Sequence, residues 1–575
     1  MNVLRYIKVC LLPPKKGAIK LRCEMPDRLS IDNNNIDMDN FDIEVSEKNQ
    51  DNEKKLSKFD SNLYKFRNLI NSLFKKHMDE IHKVEELEND EYYVTSPLDT
   101  FIGYAVDVAG SIYVLIIAMS LLIGWIIWGC LTGASDTWQI VMQDGQSIQT
   151  YVWNTFLMRQ QLDNDENLLL LYGKLKSRSI THKRLLTNFL SKYDINHSLT
   201  QLNDFKPLNE LNYNEETIDS EINFKSTSFY DKCCDCFVKI IGSLPTVTLY
   251  WIGIFVWIGC GKVPINEGTK ELPDMETFSN TWQMYVNTAT AIELLITTVF
   301  LENIRNRASN FISNQTKLFN KLDSKLEFLL RDINNDYYEN ELVIVERCPR
   351  DKIQKCISLY AHVVGNGLGL VISICVFSAW IGIGNVMHWS ANWWLVIGSY
   401  TGLVGFIDGF VLREIFFSIT DYEHKKYLDL LKDSQEFLDM LNLPVELNRP
   451  VLKKTISNRI SIFINNICSS KYSVIFSFIT VLGLVILASA MKWSETAQLV
   501  ANTPTMIIEG FFLLILVQAH NWASRERSLI LEELTKSRTI IYNYIKNNNN
   551  INNENNDEQI IEQEIEIENK KVDLL

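Results

Sequence analysis

Ser279-Asn280-Thr281-Trp282-Gln283 opens an apolar run that continues to about Leu301. Its lead-in nearly repeats Ser135-Asp136-Thr137-Trp138-Gln139, which opens a second run, Trp138 to Arg159. Two further copies follow, at Trp389-Ser390-Ala391-Asn392-Trp393-Trp394 and at Trp493-Ser494-Glu495-Thr496-Ala497-Gln498. Each copy is preceded by an apolar segment: Gly110 to Leu131, Val238 to Cys260, Ile357 to Gly384 and Val474 to Ala490. Segments of about 20 apolar residues match the roughly 30 Å hydrocarbon core of a bilayer. The unit is therefore an apolar helix, a tight turn with a serine, and a second helix with embedded polar groups. Internal repetition of this kind is common in transporters. The expected fold is all-α: a polytopic membrane protein of about eight transmembrane helices, arranged as four repeated helical hairpins with cytosolic helical extensions.

The second run is the weakest span taken alone, because Gln143, Asp144, Gln146, Gln149 and Asn154 lie inside it. It makes sense as one repeat among four. Charged segments with helical spacing follow the hairpins, at Leu168 to Leu190, Phe311 to Leu330, Tyr427 to Leu441 and Ile530 to Ile545. They read as extensions of the second helices packed into one layer, or equally as independent surface helices. The expected division is a cytosolic, partly disordered region over 1–100, then hairpins with their extensions over 101–195, 196–335, 336–445 and 446–546, and a disordered Asn/Glu-rich tail over 547–575. Within the first region, Ile31 to Glu53 reads as disordered and Phe59 to Glu88 as a helix.

The chain has 575 residues, 46% hydrophobic, with a formal net charge of −14 that belongs mainly to the segments outside the apolar runs. That balance argues against a general nucleic-acid binder. The 11 cysteines show no small disulfide framework. Met1 to Cys10 lacks the character of a cleaved secretory signal, so the first span is expected to direct insertion. Lys and Arg crowd the long connections, as at Arg305, Arg307, Lys317, Lys321, Lys325 and Arg331, whereas the short turns hold few. The positive-inside rule places both termini and the long loops in the cytosol. The sequons at Asn196 and Asn314 then escape glycosylation.

Each second helix carries oxygen-bearing side chains at membrane depth. Aligning the lead-ins makes Gln143, Asn287 and Asn502 equivalent; Asp144, Thr288, Ser399 and Thr503 share the next position, and Gln146, Thr290, Thr401 and Thr505 another. A carboxylate in mid-span costs about 2.5–3.5 kcal/mol on insertion scales. Asp144, Glu293, Asp408 and Glu509 are thus candidates for a shared cation pathway, supported by Gln143, Asn287 and Asn502. Hydrogen bonding between helices is the competing reading. Such oxygen donors suit hard or borderline divalent ions. His520 and Gln518 near the inner end of the last helix, and His388 in an outer turn, read as interfacial or surface residues or as exit and approach points. Cys130 and Cys260 read as packing residues first, with a pair or a soft-metal site as the alternatives, and Cys233-Cys234-Asp235-Cys236 as a juxtamembrane acylation site or a regulatory metal site. Glu267, Glu271, Asp274 and Glu276 make one outer turn acidic, which either concentrates cations or is a plain solvated loop. No Walker loop, His-Glu-x-x-His or nucleophile elbow appears.

Ser279-Asn280-Thr281-Trp282-Gln283, Asn287-Thr288-Ala289-Thr290 and Leu301-Glu302-Asn303 with Arg305-Asn306-Arg307 resemble the low-affinity iron permease family over roughly residues 100–540. The third hairpin departs from the pattern, with Trp394 in place of the Gln and Gly398 in place of the Asn. The resemblance implies low-affinity uptake of iron(II) across the plasma membrane, with copper, zinc or cobalt as further cargo. It implies no catalytic residues and no resident cofactor; Fe2+ is the transported substrate and the lipid bilayer the surroundings. It also sets the chain apart from permeases with Arg-Glu-x-x-Glu, since Arg413-Glu414-Ile415-Phe416-Phe417 lacks the second acid. The rival readings are a non-transporting scaffold or metal sensor and, less well supported, a membrane-embedded enzyme.

Overall fold

The computed structural model describes residues 18–26, 111–133, 135–192, 229–266, 275–445, 447 and 456–572. The expectations for Ile31 to Glu53, Phe59 to Glu88, Asn196 and the acidic residues within 267–274 fall outside them. The described chain is almost wholly helical. A short α1 (Ile112–Thr132) leads to a 57-residue α2 (Asp136–Lys192). Then come α3 (Phe229–Ile241), α4 (Leu244–Cys260) and the 55-residue α5 (Asn280–Asn334). The third group is α6 (Lys352–Gly365), α7 (Gly367–Ile383) and the 50-residue α8 (Ala391–Met440). The last is α9 (Ile456–Cys468), α10 (Lys471–Ala490) and the 78-residue α11 (Glu495–Val572). Two small antiparallel ribbons complete it, β1 (Ile19–Leu21) with β4 (Val343–Val345) and β2 (Ile265–Asn266) with β3 (Met275–Glu276).

Three of the four lead-in serines have a local job. Ser135, Ser279 and Ser494 accept hydrogen bonds through Oγ from the backbone N–H three residues on, at 3.2–3.3 Å. This satisfies a donor that the first helical turn leaves unpaired. In the third and fourth turns the residue pairs His388-Trp389 and Lys492-Trp493 both adopt left-handed φ of 50–55°, a match in backbone shape that the divergent sequences conceal.

The four long helices pack in a ring, in the order α2, α5, α11, α8 and back to α2. The shorter apolar helices stand outside it. Their outer faces are apolar and open, as at Leu121, 70% exposed, Phe255 and Ile479, the pattern expected of surfaces that meet lipid. Several also reach the long helix of a neighbouring hairpin: α1 touches α5, α4 touches α11, α10 touches α8 and α6 touches α2.

Among the described residues five helices are long and apolar enough to cross a bilayer, and seven if two bent pairs each count as one span. The bends refine the expected single segments. α3 meets α4 at 59°, and α6 meets α7 at 62°. Ser243 caps α4, and Pro245 lies in its first turn; both features break an incoming helix. α2 is long enough but not apolar enough to count among these spans, because Gln143, Asp144, Gln146, Gln149 and Asn154 interrupt its apolar run.

Beyond the spans, the ends of the four long helices continue without a break and share a core. Leu185, Leu186 and Phe189 pack with Leu326, Leu330, Phe437, Leu438, Ile541 and Ile545. Beside this core lies a buried ionic network. Arg178 and Arg331 both donate to Glu327 at 2.9 Å, and Arg538 Nε donates to Asp323 Oδ1 at 2.8 Å. Burial pushes the His182 imidazole down to about 3, and the Arg538, Arg178 and Arg331 charges act with it. Burial disfavours the Asp323 carboxylate, but His182, Arg538 and Arg178 around it hold its carboxyl below the usual range. α11 also runs to Val572 through the Asn/Glu-rich tract, where the composition alone suggests no ordered structure. Helix propagation from a packed stem adds one hydrogen bond per residue without a new nucleus, and Glu, Gln and Lys are good helix formers.

Candidate functional site

Counted from the shared serine, three positions of each long helix face the ring axis in turn, at the three- and four-residue spacing of a bundle core. The outermost layer is Gln139, Gln283, Trp394 and Gln498. The next is Gln143, Asn287, Gly398 and Asn502, followed by Gln146, Thr290, Thr401 and Thr505. A bundle core of this length is normally apolar, yet all the amides and threonines in these three layers are buried.

Few of these groups satisfy one another. Gln143 Nε2 donates to Thr288 Oγ1 at 3.2 Å and to the Met284 carbonyl at 3.3 Å. Gln146 Nε2 donates to Thr150 Oγ1 at 2.6 Å. Both amide atoms of Asn287 lack a hydrogen-bond partner, as do the side-chain oxygens of Gln139, Gln146, Gln498 and Asn502. A buried polar group without a partner costs about 1–3 kcal/mol, so an axis with this many calls for an occupant that accepts oxygen donors.

Below these layers the axis opens into a cavity, with about 50 Å3 free for water centres. One water needs about 10–15 Å3 by that measure. Every long helix lines it: Thr150 and Asn154 from α2, Leu294 and Thr298 from α5, Gly405 and Gly409 from α8, Glu509 and Leu513 from α11. Glycine at 405 makes the space. A methyl group there would lie 3.6 Å from Glu509 Oε1 and 4.0 Å from Asn154 Nδ2, so the carboxyl and the amide reach over the same glycine.

The four expected carboxyl groups do not converge. They lie nine, fourteen, eighteen and fifteen residues after their serines, for Asp144, Glu293, Asp408 and Glu509. At about 1.5 Å per residue the first and third differ by roughly 13 Å in height. Glu509 lines the cavity. Asp144 lies between α2 and α8, where a methyl group on Gly398 would come within 2.2 Å of its Oδ1. Glu293 turns to α4 and α11: Thr297 Oγ1 donates to it at 3.4 Å, and a methyl group on Gly510 would meet its Oε2 at 2.7 Å and Tyr250 Oη at 2.9 Å. Asp408 accepts a 2.7 Å bond from Tyr360 Oη of α6. Among the described residues no group of three or more His, Cys, Asp or Glu gathers as one metal site. Of the four expected carboxyl groups, one therefore lines the axis and three stand beside it.

Of the supporting amides, Gln143, Asn287 and Asn502 share one axial layer. Asn154, Thr150 and Thr298 were not among the expected site residues. The signal was present: each lies on the axial spacing continued about two and three turns inward from that layer.

Residues 98–190 and 457–573 match the low affinity iron permease family. The chain is 41% identical over 461 residues to the low-affinity Fe(2+) transport protein of Saccharomyces cerevisiae, covering 78% of this chain and 83% of that one. It is 38% identical over 445 residues to the low-affinity iron/zinc ion transport protein of Schizosaccharomyces pombe, covering 77% and 72%. No solved structure matches it.

Proposed function

The chain belongs to the low affinity iron permease family, a family of transporters rather than enzymes, and from that premise we propose that it carries iron(II) into the cell at low affinity along the axis of the four long helices. α2 serves as the eighth span, held in the bilayer by the ring rather than by its own hydropathy. Both termini and the helical extensions lie in the cytosol, and the host membrane is the plasma membrane.

The observation that carries this reading is the buried axial column, in which α2, α5 and α11 contribute amide groups that their neighbours leave unpaired. Amide, hydroxyl and carboxyl oxygens can replace the hydration shell of a borderline divalent ion piecemeal. Gln143, Asn287 and Asn502 form the first station and Glu509 with Asn154 the second. Asp144, Glu293 and Asp408 stand beside the path and favour a cation on it. Because no site gathers three strong ligands, binding is weak and release is easy, as conduction requires. An inside-negative potential favours entry of a divalent ion by about 4.6 kcal/mol per 100 mV, twice the single-charge value, so uptake needs no ATP. The same donors suit zinc, the second ion in the name of the Schizosaccharomyces pombe relative, and extend to copper and cobalt.

The test is radioactive iron uptake by cells that lack other iron importers. Expression of this chain at the surface restores uptake that saturates at high iron concentration; surface expression without uptake overturns the reading.

A further inference from the structure

One register below the cavity's polar groups the four long helices place the same residue. Leu157, Leu301, Leu412 and Leu516 each lie 22 residues after the shared serine of their helix. All four line the inner end of the cavity. Leu157, Leu301 and Leu412 are buried. No other axial layer is uniform: those above mix Gln with Trp, Asn with Gly, and Glu with Leu.

We propose that these four leucines are the inner gate of the cation pathway, closing the cavity that holds Glu509 toward the helical extensions. The proposal rests on the transport reading above and adds where the path is shut. A ring of leucine side chains offers an ion no oxygen and expels water, which is how hydrophobic constrictions block conduction. Arg413 and Glu302 occupy the next position on α8 and α5 and also line the cavity. Arg413 Nη2 donates to the Phe512 carbonyl, and its guanidinium lies 4.2 Å from the centre of the Phe512 ring. The Arg413 guanidinium is thus fixed at the level of the leucines, and the Glu302 carboxyl shares that level. A cation that arrives from the amide layers stops at Glu509 and Asn154 until the leucines part. The closed gate makes the pathway ion-tight toward the helical extensions.

The test uses the purified full chain in proteoliposomes, with Fe2+ uptake and K+ leak measured side by side. Each leucine is replaced singly by Ser and by Met. Leu→Ser wets the ring: Fe2+ uptake rises severalfold and a K+ leak appears. Leu→Met keeps the ring apolar and of similar volume, and leaves both near wild type. Where serine prevents folding, Leu→Ala, which only widens the ring, gives the same leak in smaller measure. Wild-type uptake together with folded Ser and Ala variants that show neither faster uptake nor leak overturns the gate alone. Absence of wild-type uptake overturns the transport reading and the gate with it.

Discussion

Trp125 and Trp138 stack with ring centroids 3.8 Å apart, and each indole N–H donates to the other's backbone carbonyl at 2.8 Å. The pair clasps α1 to α2. Trp257 and Trp282 repeat it at 3.9 Å, and Trp380 and Trp393 at 4.2 Å, with both reciprocal bonds in each. The last hairpin has Leu484 and Ala497 at these positions, packed with Ala488 and Ala501. A reciprocal pair buries both indole donors, which in lipid have no water to turn to.

Trp138→Phe removes one of the two bonds and leaves the Trp138 carbonyl's donor in place. It lowers stability by about 1 kcal/mol, read as a lower melting temperature in detergent. Ala497→Ser, in the hairpin without a clasp, changes melting less.

Gly398 is required by its neighbour rather than by its backbone. Gly398→Ala drives a methyl group into Asp144 Oδ1, which has to move, at a cost of about 1–3 kcal/mol. Iron uptake falls although no polar group is lost. Gly382→Ala, with no atom within 4 Å of the new methyl, leaves uptake unchanged. Uptake normalised to surface protein distinguishes the two.

The ionic network among the extensions couples α11 to α5 and α2. Arg538→Ala leaves Asp323, 1% exposed, without its strongest partner. Breaking a buried pair in this way costs about 3–5 kcal/mol. Thermal unfolding and limited proteolysis of the extensions report the loss, whereas Lys425→Ala, at an exposed pair with Asp421, has little effect.

Acid weakens the same layer. His182 is held down to about 3, against about 6.5 in an unfolded chain. A histidine lowered by folding contributes stability that is whole above about pH 6.5 and is lost as pH falls toward 3, at about 1.4 kcal/mol per unit. Asp323, also lowered, adds a loss below the ordinary aspartate range. Melting temperature therefore drops between pH 7 and pH 5, and His182→Gln flattens that drop.

The membrane-spanning helices were legible because length and apolar runs alone specify a span, and a lead-in serine marks where each long helix begins. The polar character of α2 was legible for the same reason, as an exception to the apolar rule. Which carboxyl groups reach the axis was not. Asp144, Glu293, Asp408 and Glu509 stand at different distances from their serines, and only the ring order of α2, α5, α11 and α8 decides that Glu509 faces inward while Asp408 turns to Tyr360. The bends at Ser243 and Asn366 were hidden because the amphipathic α3 and α6 run directly into apolar helices. The leucine ring was hidden for a different reason. A leucine at helical spacing reads as ordinary core, and only the register shared by four helices sets Leu157, Leu301, Leu412 and Leu516 apart.

The most direct measurement is uptake of radioactive iron(II) by proteoliposomes holding the purified chain under an inside-negative potential, compared with Glu509→Ala and with Asn287→Ala/Asn502→Ala. The axial account requires saturable uptake by wild type and a loss of at least about tenfold in each variant, the scale of about 1.4 kcal/mol or more for a removed charge-assisted contact. Full uptake by both folded variants would contradict it.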